Sequence, residues 1–149
     1  MPYATETETP CTYVAVERPA MDADLRRVAE RYAKALARNL GLRQVVTVRW
    51  FEPLAEGADA RGRKTLTLDG PHTGYFCHDE PYVVWVKVGL SAVETARVIA
   101  HEVKHAEQFQ ELGGYEQYRH TRTGWAYAKD ARERDARAFA EKCMPWWHG

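Results

Sequence analysis

The sequence lacks several features that would assign the chain to a class at once. Its three cysteines, Cys11, Cys77 and Cys143, form no Cys-x-x-Cys pair and are odd in number, which favours reduced thiols over a disulfide framework. Lys plus Arg and Asp plus Glu both number 21, so no net charge indicates nucleic acid or an acidic membrane as the main partner. No apolar run approaches the length of a transmembrane helix.

The N-terminus also lacks the basic start and the apolar segment of a signal peptide. We therefore expect residues 1–10 to form a flexible, polar tail, and we expect the protein to be cytoplasmic. The chain has 149 residues, of which 45% are hydrophobic, and this suffices for one domain with its own core. We place that domain at residues 11–149.

Hydrophobic periodicity predicts an α+β fold. Alternating or β-branched segments predict strands at residues 12–17, 45–51, 64–68, 75–77 and 82–88. Helical spacing predicts a helix from Asp22 or Asp24 to Leu40, a second over residues 91–112 and a third over residues 126–143. Ser91 and Glu94 have the spacing of a capping box at the start of the second helix.

The second helix carries the motif His101-Glu102-x-x-His105. Residues four apart on a helix share one face, so the two imidazoles can bind one zinc ion through their ring nitrogens. Glu102 then lies beside the metal, where it suits a general base acting on a zinc-bound water, whose pKa the ion lowers to about 7. Val98 and Phe109 flank the histidines, which indicates a partly apolar cleft rather than a chance polar patch. These residues favour a zinc-dependent hydrolase, above all a peptidase.

A catalytic zinc site normally has three protein ligands and a water, so a third ligand is needed. In a metzincin it would lie six residues after His105, but Glu111 is there, and Gln108 replaces the expected glycine. The alternative is a carboxylate on the third helix, where Glu133 and Asp135 flank the apolar face on opposite sides. Periodicity leaves both residues open as the ligand, although Glu has the longer reach.

The two motifs together resemble those of gluzincin-type zincin metallopeptidases, especially compact bacterial and phage members. The matching segments are His101-Glu-x-x-His105 and Glu133-x-x-Ala136, the latter followed by Phe139-Ala140. The resemblance covers residues 82–143 and implies a zincin-like fold, with a small, mostly antiparallel sheet packed on an N-terminal helix, an active-site helix and a C-terminal ligand helix. It also implies that His101, His105 and Glu133 bind one zinc ion per chain and that Glu102 is the catalytic base.

Two residues depart from the family pattern. Arg137 stands where many relatives have Asp or Asn, so a partner that orients a histidine is missing or is supplied elsewhere. Lys104 places an unusual charge inside the first motif. Outside the motifs, His72 and His78 lie in turn-like sequence, and we expect them to be structural or exposed.

The activity implied by the resemblance is hydrolysis of a peptide or protein substrate. The tetrahedral intermediate of that reaction carries an oxyanion, which needs a further hydrogen-bond donor. Tyr127 is favoured because it lies nearest the ligand helix, with Tyr115, Tyr118 and His120 as alternatives. By analogy with zincin folds, residues 83–88 are expected to form an edge strand that pairs with an extended substrate.

Other classes of function stay open from the sequence. One is a zincin-fold binding or regulatory protein that cleaves nothing. Another is a nucleic-acid-associated protease that uses the basic first helix, from Asp24 to Arg43, with Arg27, Arg31 and Lys34 as contacts. A third is a zinc hydrolase that acts on a non-peptide amide. No membrane partner is expected.

Overall fold

The computed structural model describes residues 10–55, 57–58, 62–112 and 125–147, and for residues 69, 125–130 and 146 it describes the backbone alone. The strands are β1 (Pro10–Val16), β2 (Thr47–Pro53), β3 (Thr65–Asp69), β4 (Gly74–Phe76) and β5 (Val83–Lys87). The helices are α1 (Ala23–Asn39), α2 (Ala92–Glu111) and α3 (Trp125–Cys143), followed by a 3-10 helix, Met144–Trp146. The predicted α+β class is confirmed, and every predicted element is present with ends shifted by at most two residues. Pro10, expected in the tail, begins β1, and residues 1–9 lie outside the described residues.

Local signals in the sequence fix both ends of α1 and the start of α2. Asp22, one of the two predicted caps, accepts a hydrogen bond from the backbone N–H of Asp24 at 2.7 Å. Gly41 has a φ of 73°, a left-handed conformation that suits glycine just after a helix. At the start of α2, the Ser91 hydroxyl accepts a hydrogen bond from the Glu94 N–H at 3.1 Å. The helix that carries the histidine motif is therefore anchored at its first turn.

The five strands form one mixed sheet in the order β3-β1-β2-β5-β4. Three pairs are antiparallel and one pair, β2 with β5, is parallel, so the sheet is mostly antiparallel as predicted. The expectation that residues 83–88 form an edge strand is wrong, because β5 lies between β2 and β4. The sequence of β5 fits this internal position, since Val84, Trp85 and Val86 are buried on both faces of the sheet. The edge on this side is β4, only three residues long.

Two apolar layers hold the helices and the sheet together. On one face of the sheet, α1 and α2 pack on Val48, Trp50, Val84 and Val86. The opposite face carries a second cluster, Tyr13, Phe51, Leu68 and Trp85, in which Tyr13 meets Phe51 edge to face. Helix α3 packs along α2 and adds Ala140 and Cys143 to the first layer.

Helix α2 is therefore covered by the sheet, by α1 and by α3, and its histidines lie where α2 meets α3 and β4. Within the described part of the chain, no helix is both long enough and apolar enough to cross a membrane.

Candidate metal centre

The two histidines of the motif face each other across one turn of α2. His101 Nε2 and His105 Nε2 are 3.2 Å apart, and the two rings meet nearly at right angles. His105 is buried, with 5% of its surface exposed, and its ring stacks on Phe76 of β4. Phe109 packs against Phe76 in turn, so the predicted apolar surroundings of the histidines are present.

Glu133 of α3 lies against both histidines. Its Oε2 is 2.9 Å from His101 Nε2, and its Oε1 is 2.9 Å from His105 Nε2. Asp135, the other candidate, is directed elsewhere and is 4.0 Å from the Lys104 ammonium. The structure therefore brings His101, His105 and Glu133 together, as the resemblance implied. We call these three residues the ligand group, and Asp135 is not part of it.

The three side chains fit a tetrahedral zinc ion in chemistry and in spacing. Ligand atoms at roughly 2.0–2.1 Å from a tetrahedral zinc lie about 3.3–3.4 Å from one another. Here each carboxylate oxygen of Glu133 lies 2.9 Å from one imidazole nitrogen and the two nitrogens are 3.2 Å apart, so a widening of a few tenths of an ångström would admit the ion. Two nitrogens and two oxygens this close need positive charge between them, which either protons or a cation can supply.

The mutual effects of these groups on their pKa values favour protons in that role when no cation is bound. The hydrogen bonds from His101 and His105 hold the pKa of Glu133 far below its usual range. Burial opposes protonation of His105, but the hydrogen bond to Glu133 and the charges of Glu102 and Glu133 outweigh it and raise the pKa of His105 above its ordinary value of 6.5. A dication would replace these protons.

Gln108 orients His105 from the other side of the ring. Its amide nitrogen donates to Asp135 Oδ2 at 2.9 Å and to the Arg132 carbonyl at 3.0 Å. These two acceptors fix the amide, so its oxygen faces His105 Nδ1 at 2.9 Å and accepts the proton there. His105 Nε2 is thereby directed at His101 and Glu133. Gln108 supplies the orienting partner that the sequence left unassigned, and Asp135 positions Gln108.

Glu102 lies beside the ligand group in a buried position. Its carboxylate and the two imidazoles offer ligand atoms that all lie within 4.8 Å of one another. Only 7% of its surface is exposed, and this burial raises its pKa, although the nearby His105 and His101 counteract the shift. A buried carboxylate with a raised pKa is suited to take up and release a proton.

Gly74 of β4, which no motif in the sequence marks, makes room for this arrangement. A Cβ built on Gly74 would come within 3.0 Å of Val98 Cγ1, and to 3.1 and 3.2 Å from Cγ and Oε1 of Glu102. Real Cβ atoms do not approach other atoms as closely as that first contact. Glycine is therefore required by close packing of the strand on α2. The predicted strand, residues 75–77, begins one residue after Gly74, so the position of this glycine within the strand gave no signal in the sequence.

Lys104, the unusual charge inside the motif, points away from the histidines. Its ammonium pairs with Glu107, lies 4.0 Å from Asp135 and sits 5.1 Å from the centre of the Phe139 ring. Burial opposes its charge, but the hydrogen bond and charge of Glu107 outweigh it and raise the pKa of Lys104. Lys104 therefore joins α2 to α3 and leaves the ligand group undisturbed.

A cleft of about 780 Å³ opens onto the ligand group. The segment from Pro71 to Phe76 forms one wall, and residues of α2 and α3 form the others. His72 and His78, expected to be structural or exposed, both line this cleft. His72 is close enough to Glu102 for a charge on its ring to lower the pKa of that carboxyl. Their sequence contexts gave no sign of this, because the chain reaches the cleft through an irregular turn.

Several predicted candidates fall outside this group. The side chain of Tyr127 lies outside the described residues, as do Tyr115, Tyr118 and His120, so the oxyanion donor stays a prediction. Cys143 is buried in the core beside α1, and in the described chain no cysteine belongs to the metal-ligand group. The basic helix α1 contributes no described residue to the cleft. Its Arg26 and Arg27 pair with Glu30 and Asp24, and its binding of nucleic acid also stays a prediction.

Comparison with known proteins identifies no relative. No protein-family model matches the chain, and no curated protein and no solved structure is significantly similar to it.

Proposed function

We propose that the chain is a zinc-dependent peptidase of the zincin type, with His101, His105 and Glu133 as ligands. One observation carries the proposal: ligand atoms from two helices, 28 residues apart in sequence between His105 and Glu133, converge to within 3.2 Å. Glu133 directs one carboxylate oxygen at each of the two imidazoles on the neighbouring helix, which is the arrangement of a shared metal site. A buried carboxylate, Glu102, stands beside this group at the head of a cleft.

In the proposed reaction, the metal and the side chains around it have separate roles. Zinc held by the three ligands would polarise the scissile carbonyl and lower the pKa of a water to about 7. Glu102 would take the proton of the attacking water and return it to the leaving amine, which its raised pKa favours. Gln108 would keep His105 in the tautomer that offers Nε2 to the metal. An extended substrate would pair with the outer edge of β4, which replaces residues 83–88 in this role.

The proposal is tested first by metal content. Wild-type protein is expected to hold about one zinc per chain, measured by mass spectrometry on untagged protein. Glu133→Ala should lose the metal, whereas Asp135→Ala, its matched control on the same helix, should keep it at one per chain with lower affinity. Equal retention in both variants would contradict the ligand assignment.

The second test is hydrolysis. Zinc-loaded wild type should cleave a broad casein-type substrate, and Glu102→Gln should keep its zinc but lose the activity by several orders of magnitude. A protein that binds zinc and cleaves no substrate would instead support a zincin-fold binding or regulatory role. We also propose a cytoplasmic location, and a nucleic-acid-associated protease that uses α1 is the alternative function.

A further inference from the structure

Arg137 is an exposed cation at the cleft, one helical turn beyond Glu133. On a helix, an arginine commonly pairs with acids four residues away, here Glu133 and Glu141. Both acids are engaged with α2 instead: Glu133 contacts the two histidines, and Glu141 accepts a hydrogen bond from Arg97 Nε at 2.7 Å. In the parts of the chain that the structure describes, no acidic side chain pairs with Arg137. Its guanidinium is thus left to face the cleft.

The charge of the cleft favours an anionic ligand once a metal is bound. The charged side chains that line it are three arginines and three glutamates: Arg97, Arg132, Arg137, Glu102, Glu133 and Glu141. With neutral histidines these charges cancel. The dication of the proposed function would then leave an excess of two positive charges, and Arg137 adds an exposed guanidinium to this positive cleft.

The spacing limits where an anion would lie on a peptide. Four residues of α3 advance about 6 Å along the helix axis from Glu133 to Arg137. An extended peptide advances about 3.3–3.6 Å per residue. A group bound by Arg137 would therefore lie about two residues from a peptide bond held at the ligand group. A guanidinium forms paired, charge-assisted hydrogen bonds with a carboxylate, which is the anion that peptides themselves provide.

We propose that Arg137 binds a substrate carboxylate about two residues from the scissile bond. This inference rests on the proposed peptidase function, and it names the substrate class as peptides with a carboxylate at that distance. The carboxylate comes either from the C-terminus of the substrate or from an Asp or Glu side chain. Arg137 is a binding residue in this assignment and takes no part in the proton transfers.

Binding to a protein that cannot cleave its ligand tests the inference. Zinc-loaded Glu102→Gln is titrated by calorimetry with alanine-based hexapeptides in three forms: a free C-terminal carboxylate, an amidated C-terminus, and an amidated C-terminus with Glu or Gln placed at each position in turn. The same titrations are made with Arg137→Gln, with Arg137→Lys and with Lys142→Gln, which removes a positive charge from an exposed position on α3 outside the cleft. Zinc content is measured for every variant, so that a lost metal is not mistaken for a lost contact.

Removal of the relevant carboxylate is expected to weaken binding between about tenfold and a hundredfold. Arg137→Gln should weaken binding of the carboxylate peptide to the same extent and leave the neutral peptide unaffected, with no further loss when both changes are combined. Arg137→Lys should fall between, because it keeps the charge and loses the paired geometry. Loss on amidation assigns the C-terminus, and loss on Glu→Gln at one position assigns a side chain.

Three results would overturn the inference: a carboxylate preference that persists undiminished in Arg137→Gln, binding of no peptide, and equal binding of charged and neutral peptides. None of the three decides the peptidase proposal, because metal content and hydrolysis by the wild-type protein test that separately.

Discussion

A methyl group added at Gly74 should damage the site without touching a metal ligand. The Cβ of Gly74→Ala would lie under 3.0 Å from Val98 Cγ1 and 3.1–3.2 Å from two atoms of Glu102. Val98 cannot rotate away freely, since a β-branched side chain on a helix has one strongly preferred rotamer. Either the three-residue edge strand β4 must move outward or α2 must shift. Overpacking of this kind costs about 1–3 kcal/mol of unfolding free energy.

Urea unfolding of the metal-free protein measures this loss of about 1–3 kcal/mol directly as a change in the free energy of unfolding. In thermal unfolding the same loss corresponds to a fall of roughly 2–12 °C in melting temperature for a chain of this size. Zinc stoichiometry should stay at one per chain, because the three closest contacts of the added methyl are with Val98 and Glu102 and none is with His101, His105 or Glu133. Hydrolysis should fall with the displacement of Glu102, the residue proposed to handle the proton.

A double variant provides the control. Val98→Ala removes the atom that the new methyl meets first, so Gly74→Ala should cost at least about 0.5 kcal/mol less in that background than in the wild type. Strict additivity, or a Gly74→Ala protein within about 0.5 kcal/mol of wild type, would refute the close packing of β4 on α2.

Three further perturbations separate the parts of the site. Gln108→Ala should weaken zinc binding about 10- to 100-fold at unchanged stoichiometry, because His105 loses the partner that orients it. Competition with a chromophoric chelator measures the affinity, and an unchanged affinity would contradict that role. Zinc affinity should already fall as the pH drops toward 6.5, because nearby Glu133 and Glu102 raise the pKa of His105 and the protonated ring cannot bind metal; affinity flat from pH 8 to 6 would contradict this. Burial raises the pKa of Tyr32 from 10.0 to about 12. The contribution of the neutral phenol to the free energy of unfolding is therefore fully present below pH 10 and is lost as the pH rises through 12. Tyr32→Phe removes the hydrogen bond to the Cys143 carbonyl and should therefore lower the free energy of unfolding by about 1 kcal/mol at neutral pH. In urea unfolding its stability should also fall less steeply at alkaline pH than that of the wild type. An unchanged slope would assign the alkaline loss of stability to other groups.

Local features of the fold could be predicted from the sequence, because each depends on neighbouring residues. The cap at Ser91, the end of α1 at Gly41 and the one-turn spacing of His101 and His105 are settled within a few residues of chain. The position of β5 inside the sheet could not be predicted in this way, since it depends on a parallel pairing with β2, about 35 residues earlier. The prediction of an edge strand failed because the sequence predicts the strand at β4 but not its pairing with β5, which covers that edge.

The choice between Glu133 and Asp135 depended on the same kind of information. Both carboxylates flank the apolar face of α3, and periodicity cannot tell which flank meets the histidines. The packing of α3 on α2 decides it, and it gives both residues a role: Glu133 contacts the imidazoles, while Asp135 holds Gln108, which holds His105. The site therefore uses both carboxylates of α3, one against the imidazoles and one to position Gln108.

This division ties the ligand group to the packing of two helices. Every described contact that brings Glu133 to His105 crosses between α2 and α3, and so do the Gln108–Asp135 and Lys104–Asp135 contacts on the other side of the ring. Because these contacts form only when the helices are docked, a metal that binds the docked pair and not the separated one must stabilise the docking by its own binding free energy. The metal centre, if loaded as proposed, is thus both the reactive part of the cleft and a clamp between the two helices that form it.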